Sequence, residues 1–550
     1  MLSTENFIYR AVEKNKRSWT SDRKIITRFP PEPNGHLHIG SAYAIHISWS
    51  IAKLMNGAFN LRYDDTNPNK ESWDYVHAIE EDMAWLGFDW EGDLRFGSDY
   101  FDYTLDCAKL LIDKGLAYVD FTSAKDMAAM RGTLTEPGKA SVYRNHTPDQ
   151  VHADFNRMIS GDLKPGDAVL RAKIDLTSPN VNMRDPVLYR MIHTPHYRTG
   201  DEWRVYPMYD FAHPIQDAVE GVSHSLCSIE FLNHRPLYDW VVKHCELDPV
   251  PVQREFGRMT IKGVITSKRY LREMVEDHLV KGWDDPRLPT IKGMRRKGYT
   301  ASSIHSFLGE IGVAKQHASV DIDMLDHFYR NEMRDSAMRL MAVKNPIKVT
   351  LTNMADDHVE WLSEDLHPDH PEWGKRSYPF SKVLYIDRAD FSENPPPKFK
   401  RLTRDNEIRL RKAYFIRVED LVRDESGQVV ELLCTYDPET KSGSDFNSRK
   451  PAGTIHWVSD HGAVPIEFRM YNRLIMDDNA KISAEVGWKD TLNPDALEVV
   501  NGVGEPHFAN LSVETRMQLI REGYFIVDQD STKDHLVLNR TVPLKSGKGK

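Results

Sequence analysis

The sequence predicts an α/β chain built on a doubly wound parallel sheet and completed by a β-rich C-terminal half. Three observations carry this. Strand and helix patterns alternate from residue 24 to residue 86, a second alternating set occupies residues 202 to 245, and helical periodicity gives way to strands after Pro346. Alternation belongs to parallel sheets covered by helices, whereas runs of short strands belong to sandwiches and barrels.

In chain order, the apolar run KIITRF (24–29) reads as a strand that enters a Pro-, Asn- and Gly-rich turn, PPEPNGHLHIG (30–40). The helix over 41–57 that follows puts Ile45, Trp49 and Ala52 on one face and ends at Asn56-Gly57, a favourable C-cap. Phe59, Leu61 and Tyr63 alternate as a second strand, and Val76, Ile79, Met83 and Leu86 mark a second helix by their 3-4-3 spacing. The later set reads as strand EWRVYPMY, helix FAHPIQDAVEG, strand VSHSLCSIEF and a helix to about 245, so residues between the sets interrupt a split sheet. Residues 259–340 read as mostly helical. Beyond them PIKVTLTN, KVLYIDRADF, EIRLRKAYFIRVEDLV, VVELLCTYD, GTIHWVSD, VPIEFRMYNRLI, GYFIVDQ and LVLNRTVPL suggest one or two antiparallel barrels. The expected divisions are an N-terminal extension (1–23), the split sheet (24–99 and 206–258), an insertion (100–205), a helical subdomain (259–340), two β-barrels (341–545) and a basic tail (546–550).

Composition narrows the setting. A chain of 550 residues exceeds one core, and 40% hydrophobic with 28% charged residues is ordinary for a soluble protein. The sequence has no run of 18 apolar residues and no apolar signal core at its start, which predicts a cytoplasmic protein without a membrane. Cys107, Cys227, Cys245 and Cys434 are scattered without metal-ligand spacing, so neither a structural metal nor a bound cofactor is expected. A net charge of −10 argues mildly against nucleic acid, but one folded RNA needs a basic track and not a basic average. Candidate track segments are Arg295-Arg296-Lys297, Lys398 with Lys400 and Arg401, Arg409 with Arg411 and Lys412, and the tail KSGKGK.

Two segments carry chemistry. The turn at 30–40 leads from a strand into a helix N-terminus, where unpaired N–H groups and the positive dipole end suit an anion, and His36 and His38 stand on it. Far downstream, GVITSKRYL (263–271) places an ammonium and a guanidinium on one loop able to meet a triphosphate.

Together, this HIG turn and SKR loop resemble the two signatures of class I aminoacyl-tRNA synthetases. LRYDDTNPNKES (61–72), RGTLTEPGKASVYR (131–144), RAKIDLTSPNVNMRDPVLYR (171–190), YPMYDFAHPIQDAVEGVSHSLCSIEF (206–231) and GWDDPRLPTIKGMRRKGYT (282–300) resemble the glutaminyl family closely, and the likeness runs from about 24 to about 545. It implies a Rossmann-like catalytic domain, an inserted α/β acceptor-binding domain, and anticodon-binding barrels. It also implies ligation of L-glutamine to tRNA(Gln) by a monomer, with ATP, carried with Mg²⁺, as substrate. The family's activation step itself needs tRNA.

Carried over by motif, Glu32, Pro33, Asn34, His38, Ile39, Gly40, Ser41, Ala42, Tyr43 and Ala44 form the ATP-binding turn, with Ser228, Arg258, Met259, Thr266, Ser267 and Lys268 completing the set. His38, Ser267 and Lys268 are the expected catalytic residues, stabilising phosphoryl oxygens by position and charge. Ser41 stands where the family usually has histidine, and Thr266 where it usually has methionine. Asp64 matches the α-ammonium ligand and Tyr209 the side-chain amide reader, with His213, Cys227 and Gln253 on further pocket positions. Glutamyl relatives place an arginine at the position of Cys227, and a neutral amide would leave that cation unpaired, so Cys227 favours glutamine. For tRNA, Leu134 resembles the wedge that opens the first acceptor pair, and Arg339, Lys400, Arg401, Gln518 and Arg521 fall on anticodon-contact positions. Asn233 departs from the aspartate usual on an acceptor-stem guanine. The rival expectations are a glutamyl or non-discriminating synthetase, and a catalytically weakened tRNA-binding paralogue suggested by Ser41 and Thr266.

Overall fold

The computed structural model describes residues 1–19, 22–476 and 487–545, so the tail expected at 546–550 lies outside the described residues. The chain forms two compact units, one of residues 1–261 with 305–320 and the other of 262–304 with 321 onward.

The first unit opens with α1 (Phe7–Arg17), then β1 (Ile26–Phe29), α2 (Ile39–Leu54), β2 (Ala58–Tyr63), α3 (Trp73–Leu86) and β3 (Arg95–Phe96). Strands β1, β2 and β3 lie side by side in parallel, as the alternating pattern predicts. Val76, Ile79, Met83 and Leu86 are all buried, and the helix stops at Gly87 with φ 73°, a conformation glycine adopts without penalty. At the end of α2 the expectation needs adjustment. The left-handed residue is Asn56 (φ 50°), while Gly57 is required because a Cβ there would stand 2.2 Å from the Ile25 carbonyl oxygen.

The chain continues through α4 (Phe101–Asp113), β4 (Ala117–Asp120), α5 (Ala124–Met130), α6 (Pro148–Ser160), β5 (Val169–Ala172), β6 (Val187–Met191), β7 (Val205–Pro207), α7 (Tyr209–Val219), β8 (His224–Ser228), α8 (Arg235–His244) and β9 (Val252–Phe256). β8 and β9 pair in parallel, and Ser223 joins them to β1: its N–H donates to the Ile26 carbonyl and its Oγ accepts the Ile26 N–H, each at 2.9 Å. The strand expected at 202–209 does not join this sheet. Only Val205–Pro207 is extended, and it pairs antiparallel with β6, closing the four-stranded sheet β4-β5-β6-β7. One core then serves that sheet together with α4, α6, α7 and α8, through Leu105, Leu111, Phe155, Leu170, Phe211 and Val241.

In the second unit, α9 (Lys268–Glu276) is followed by the helix Ile291–Lys297 and the longer helix Ile322–Ser336. Two seven-stranded sheets follow. One runs 454–455, 407–410, 415–423, 429–437, 346–351, 383–387, 458–459 in spatial order; the other runs 338–340, 516–519, 523–527, 536–543, 464–471, 497–504, 342–344. Both are mixed and not purely antiparallel, with parallel pairs such as Lys348–Glu431 and Ile466–Leu536. The reason is connectivity: a strand returning after a long excursion can pair in either sense, whereas a hairpin cannot. EIRLRKAYFIRVEDLV is itself a hairpin, turning at Lys412 with φ 60°.

Candidate functional site

Within the first unit, the carboxyl ends of β1, β2 and β8, the start of α7 and one face of α2 surround a cavity of about 490 Å³. Its wall includes Arg28, Glu32, Ala44, Asp64, Thr66, Arg190, Tyr209, Cys227, Ser228 and Phe231. This is where an open parallel sheet binds its ligand, beyond the strand ends.

The entrance turn is fixed by its own hydrogen bonds. His38 is the N-cap of α2, and its Nδ1 accepts the Gly40 N–H at 3.1 Å. With Nδ1 accepting, the neutral ring carries its proton on Nε2, the atom able to donate to a phosphoryl oxygen. Gly40 makes this possible, since a Cβ there would stand 2.9 Å from the imidazole Cε1. Ser41, the residue that departs from the family pattern, reaches back so that its Oγ accepts the His38 N–H at 3.5 Å. Burial along the turn alternates: Glu32, His36, His38 and Gly40 are half-buried, while Pro33, Asn34 and Ile39 are buried. Ala42 and Tyr43 also face the core, with Tyr43 edge-on to Phe256, and only Ala44 of that group lines the cavity.

Asp64, at the end of β2, accepts from the Thr66 hydroxyl at 3.0 Å. Burial, with Glu32 and Asp65 adding negative charge, pushes its carboxyl up to about 6. The adjacent Asp65 caps no helix, since α3 begins only at Trp73. It is fully buried and holds Ser98 through N–H at 2.7 Å and Oγ at 2.6 Å.

Tyr209, expected in a strand, is the first residue of α7, and its ring stacks on His213 one turn later at 4.6 Å. His213 lies behind Tyr209 and not on the cavity wall. There it meets Arg28 in a buried cluster: Arg28 pairs with Asp217 at 3.1 Å and donates to Ser225 Oγ at 2.5 Å, and Arg62 pairs with Asp217 at 2.8 Å. Burial and the Arg28 charge hold the His213 ring neutral, well below the usual histidine range. Gln253 is also off the wall, its amide spent on the Phe231 carbonyl at 3.1 Å and on Glu255 at 3.0 Å. Cys227 does line the wall, and burial pushes its thiol up to about 12, so it is neutral. Sequence reasoning missed Arg28 and Arg190; both sit in apolar strands, where an inward arginine has no distinguishing pattern.

Ser228, on the wall, and Arg258, which does not line it, share a partner: the Ser228 hydroxyl donates to Glu230 at 3.2 Å, and Arg258 pairs with Glu230 at 2.8 Å. Met259 is buried. Leu134 is 80% exposed at the tip of a loop whose carbonyls at 131, 133 and 136 all accept from Arg184 Nη1, at 3.1, 2.8 and 2.9 Å. Asn233 is exposed, and its carbonyl is held by the Asn180 amide at 2.7 Å.

In the second unit, Ser267 is the N-cap of α9 and Lys268 its first residue, so the SKR segment opens a helix. That helix is anchored by Trp488, which stacks on Tyr270 at 5.6 Å and donates to Glu273 at 2.8 Å. Of the expected RNA contacts, Arg339 and Gln518 are register partners on adjacent parallel strands. Arg401 and Arg521 share one carboxylate, Asp390. Arginines in two segments of the expected basic track are paired with carboxylates of the same unit. Arg295 pairs with Glu514 and Arg296 with Asp284 and Asp528, while Arg411 pairs with Glu364.

Comparison with known proteins matches three family models: the catalytic domain of class I tRNA synthetases (E and Q) over 24–335, and two anticodon-binding domains of the same group over 337–437 and 454–528. A glutamine–tRNA ligase from Clostridium perfringens is 48% identical over 99% of this chain and 98% of its own length. Those of Clostridioides difficile and Haemophilus influenzae are each 47% identical over 99% of this chain, covering 98% and 97% of theirs. The chain belongs to the class I tRNA synthetases of the E and Q group.

Proposed function

We propose that this chain ligates L-glutamine to tRNA(Gln) at the expense of ATP, through a glutaminyl-adenylate. The supporting observation is the cavity at the strand ends, which joins Asp64, Tyr209 and a neutral Cys227 thiol while its fully buried cation, Arg28, is already paired with Asp217. Such a wall suits an ammonium and an uncharged amide. A side-chain carboxylate would find no unspent cation at Cys227.

In the first step a carboxylate oxygen of glutamine attacks the α-phosphorus and the bond to the β-phosphate oxygen breaks, releasing pyrophosphate. Asp64 holds the α-ammonium, and Arg190, which has no carboxylate partner among the described residues, suits the α-carboxylate. His38 Nε2 donates to the α-phosphoryl oxygens, and Lys268 stabilises the charge gathering on pyrophosphate. In the second step the 2′-hydroxyl of the terminal adenosine attacks the acyl carbon and AMP leaves with the proton. No protein nucleophile takes part. The insertion over 100–205 serves the acceptor stem, with Leu134 and Asn233 toward it, and Arg339, Lys400, Arg401, Gln518 and Arg521 serve the anticodon. Mg²⁺ enters with ATP.

The deciding experiment is ATP–pyrophosphate exchange and aminoacylation with glutamine or glutamate, both in the presence of tRNA(Gln). Glutamine-dependent exchange with little or none for glutamate is expected. Exchange with glutamate alone would replace this reading by a glutamyl enzyme, and tRNA binding without exchange would replace it by a weakened paralogue.

A further inference from the structure

Asp390 ends the short turn Arg388–Asp390 after the strand Val383–Asp387, and only 2% of it is exposed. Two arginines from distant parts of the sequence converge on it. Arg521 makes a two-pronged contact, Nη1 to Oδ2 at 2.6 Å and Nη2 to Oδ1 at 2.7 Å. Arg401 approaches from the other side, Nε to Oδ1 at 3.2 Å, and anchors Nη1 on the Ala389 carbonyl at 2.9 Å. The Leu402 N–H also donates to the Asp390 carbonyl at 2.9 Å, fixing the loop that carries Arg401.

The arrangement is not what simple ion pairing would build. One buried carboxylate faces two guanidiniums whose side chains remain 42% and 30% exposed, and the Glu522 carboxylate, paired with Lys344, and the Asp387 carboxylate also lie near Arg521. A further neighbour, His456, touches Arg521 Nη1 through Nδ1 at 3.1 Å and adds no positive charge, since burial and the adjacent arginine lower it to about 4. Arg521 itself sits at φ 71°, a left-handed conformation that non-glycine residues adopt at a cost. A strained backbone persists where surrounding contacts over-determine it, and the paired contact with Asp390 does so here.

We propose that Asp390 is a positioning residue that assembles Arg401 and Arg521 into one rigid two-guanidinium unit, which grips hydrogen-bond-accepting oxygens of the single-stranded anticodon. The inference rests on the reading that these arginines meet the anticodon. Asp390 itself is too buried to touch RNA. Its effect is to fix the spacing and plane of two donors before RNA arrives, so that less side-chain freedom is lost on binding. The oxygens are either phosphate oxygens or base carbonyls, and salt dependence separates the two.

The test is steady-state aminoacylation by the full chain carrying Asp390→Asn, with thermal melting recorded alongside. The expected result is a KM for tRNA raised about tenfold, with KM for glutamine and ATP at saturating tRNA unchanged. A lowered slope of log KM against log salt identifies phosphate as the target. An unchanged slope with lost discrimination among anticodon variants identifies base carbonyls. Should the variant fail to fold, Arg401→Ala and Arg521→Ala are measured singly and together. As one unit they give a double variant little worse than the poorer single, whereas fully multiplicative losses overturn the proposal. An unchanged KM for tRNA in folded Asp390→Asn, or equal rises in all three KM values, also overturns it. If both arginine variants bind tRNA as the parent does, the anticodon assignment fails instead.

Discussion

Asp64 shows how a single side chain can be set against its own solvation. Its carboxyl is pushed up to about 6, chiefly by burial and secondarily by Glu32 and Asp65. For folding, this carboxyl favours the native state at low pH and costs stability as pH rises from its unfolded pKa toward 6. In the role proposed for Asp64, the ammonium of the amino acid needs the ionised form, which the free protein loses as pH falls through about 6. The kcat/KM for glutamine should therefore drop about tenfold between pH 7 and pH 5, since about one carboxyl in ten stays ionised one unit below the pKa. Asp64→Asn should abolish this limb of the profile. A second prediction concerns the neutral thiol: Cys227→Arg should admit glutamate and depress glutamine use by about tenfold or more, read by exchange with each amino acid. Glutamate activation that stays undetectable with glutamine use intact would remove Cys227 from the selecting wall. The sequence motifs pointed to Asp64, Tyr209 and Cys227, and these three do share a cavity. They could not separate His213 and Gln253 from the wall, because spacing gives the face of a helix or strand but not which groups the neighbouring core consumes. Here Arg28 and Asp217 draw His213 inward, and Glu255 takes Gln253.

At the scale of elements, loops that look passive in the sequence are braced by buried cations. Arg184, 6% exposed, holds the loop carrying Leu134 through three carbonyls, and Gly132 at φ 73° leaves no room for a Cβ beside Glu136 and Pro137. Arg184→Ala should raise the KM for tRNA about tenfold, the loss expected when charge-assisted hydrogen bonds to a loop are removed, with KM for glutamine unchanged. Lys268 begins α9, and helix starts are suited to anions. Lys268→Ala should lower the activation rate by about 10²–10³ while moving the KM for ATP less, as for a donor used only in the transition state. Equal losses in both would assign it to ground-state binding. Alternation revealed β1, β2 and most C-terminal strands. It did not reveal the hairpin 359–365 with 375–381, because VEWLSED exposes Trp361 and carries three acids, so its period-two signal is weak. Nor did it reveal that 205–207 leaves the parallel sheet, since pairing partners are a tertiary choice.

For the molecule as a whole, the second unit closes by long-range pairing. Strands 338–340 and 342–344 lie at the two edges of a sheet whose other members come from 464–543. These short edges are made first, yet their partners at 516–519 and 497–504 are made much later in translation. On the ribosome the segment Met338–Lys344 must therefore wait with unpaired backbone groups while the other seven-stranded sheet, complete by Ser459, can already form. A chain stopped at residue 495 should release this segment unsatisfied and sediment as aggregate, whereas one stopped at 545 should stay in solution, as fractionation of in-vitro translation products would show. Equal recovery of both would mean that the edges are protected before their partners are made. A sheet that pairs its first strands with its last can close only once both are made, so a copy that ends between them carries an open sheet edge.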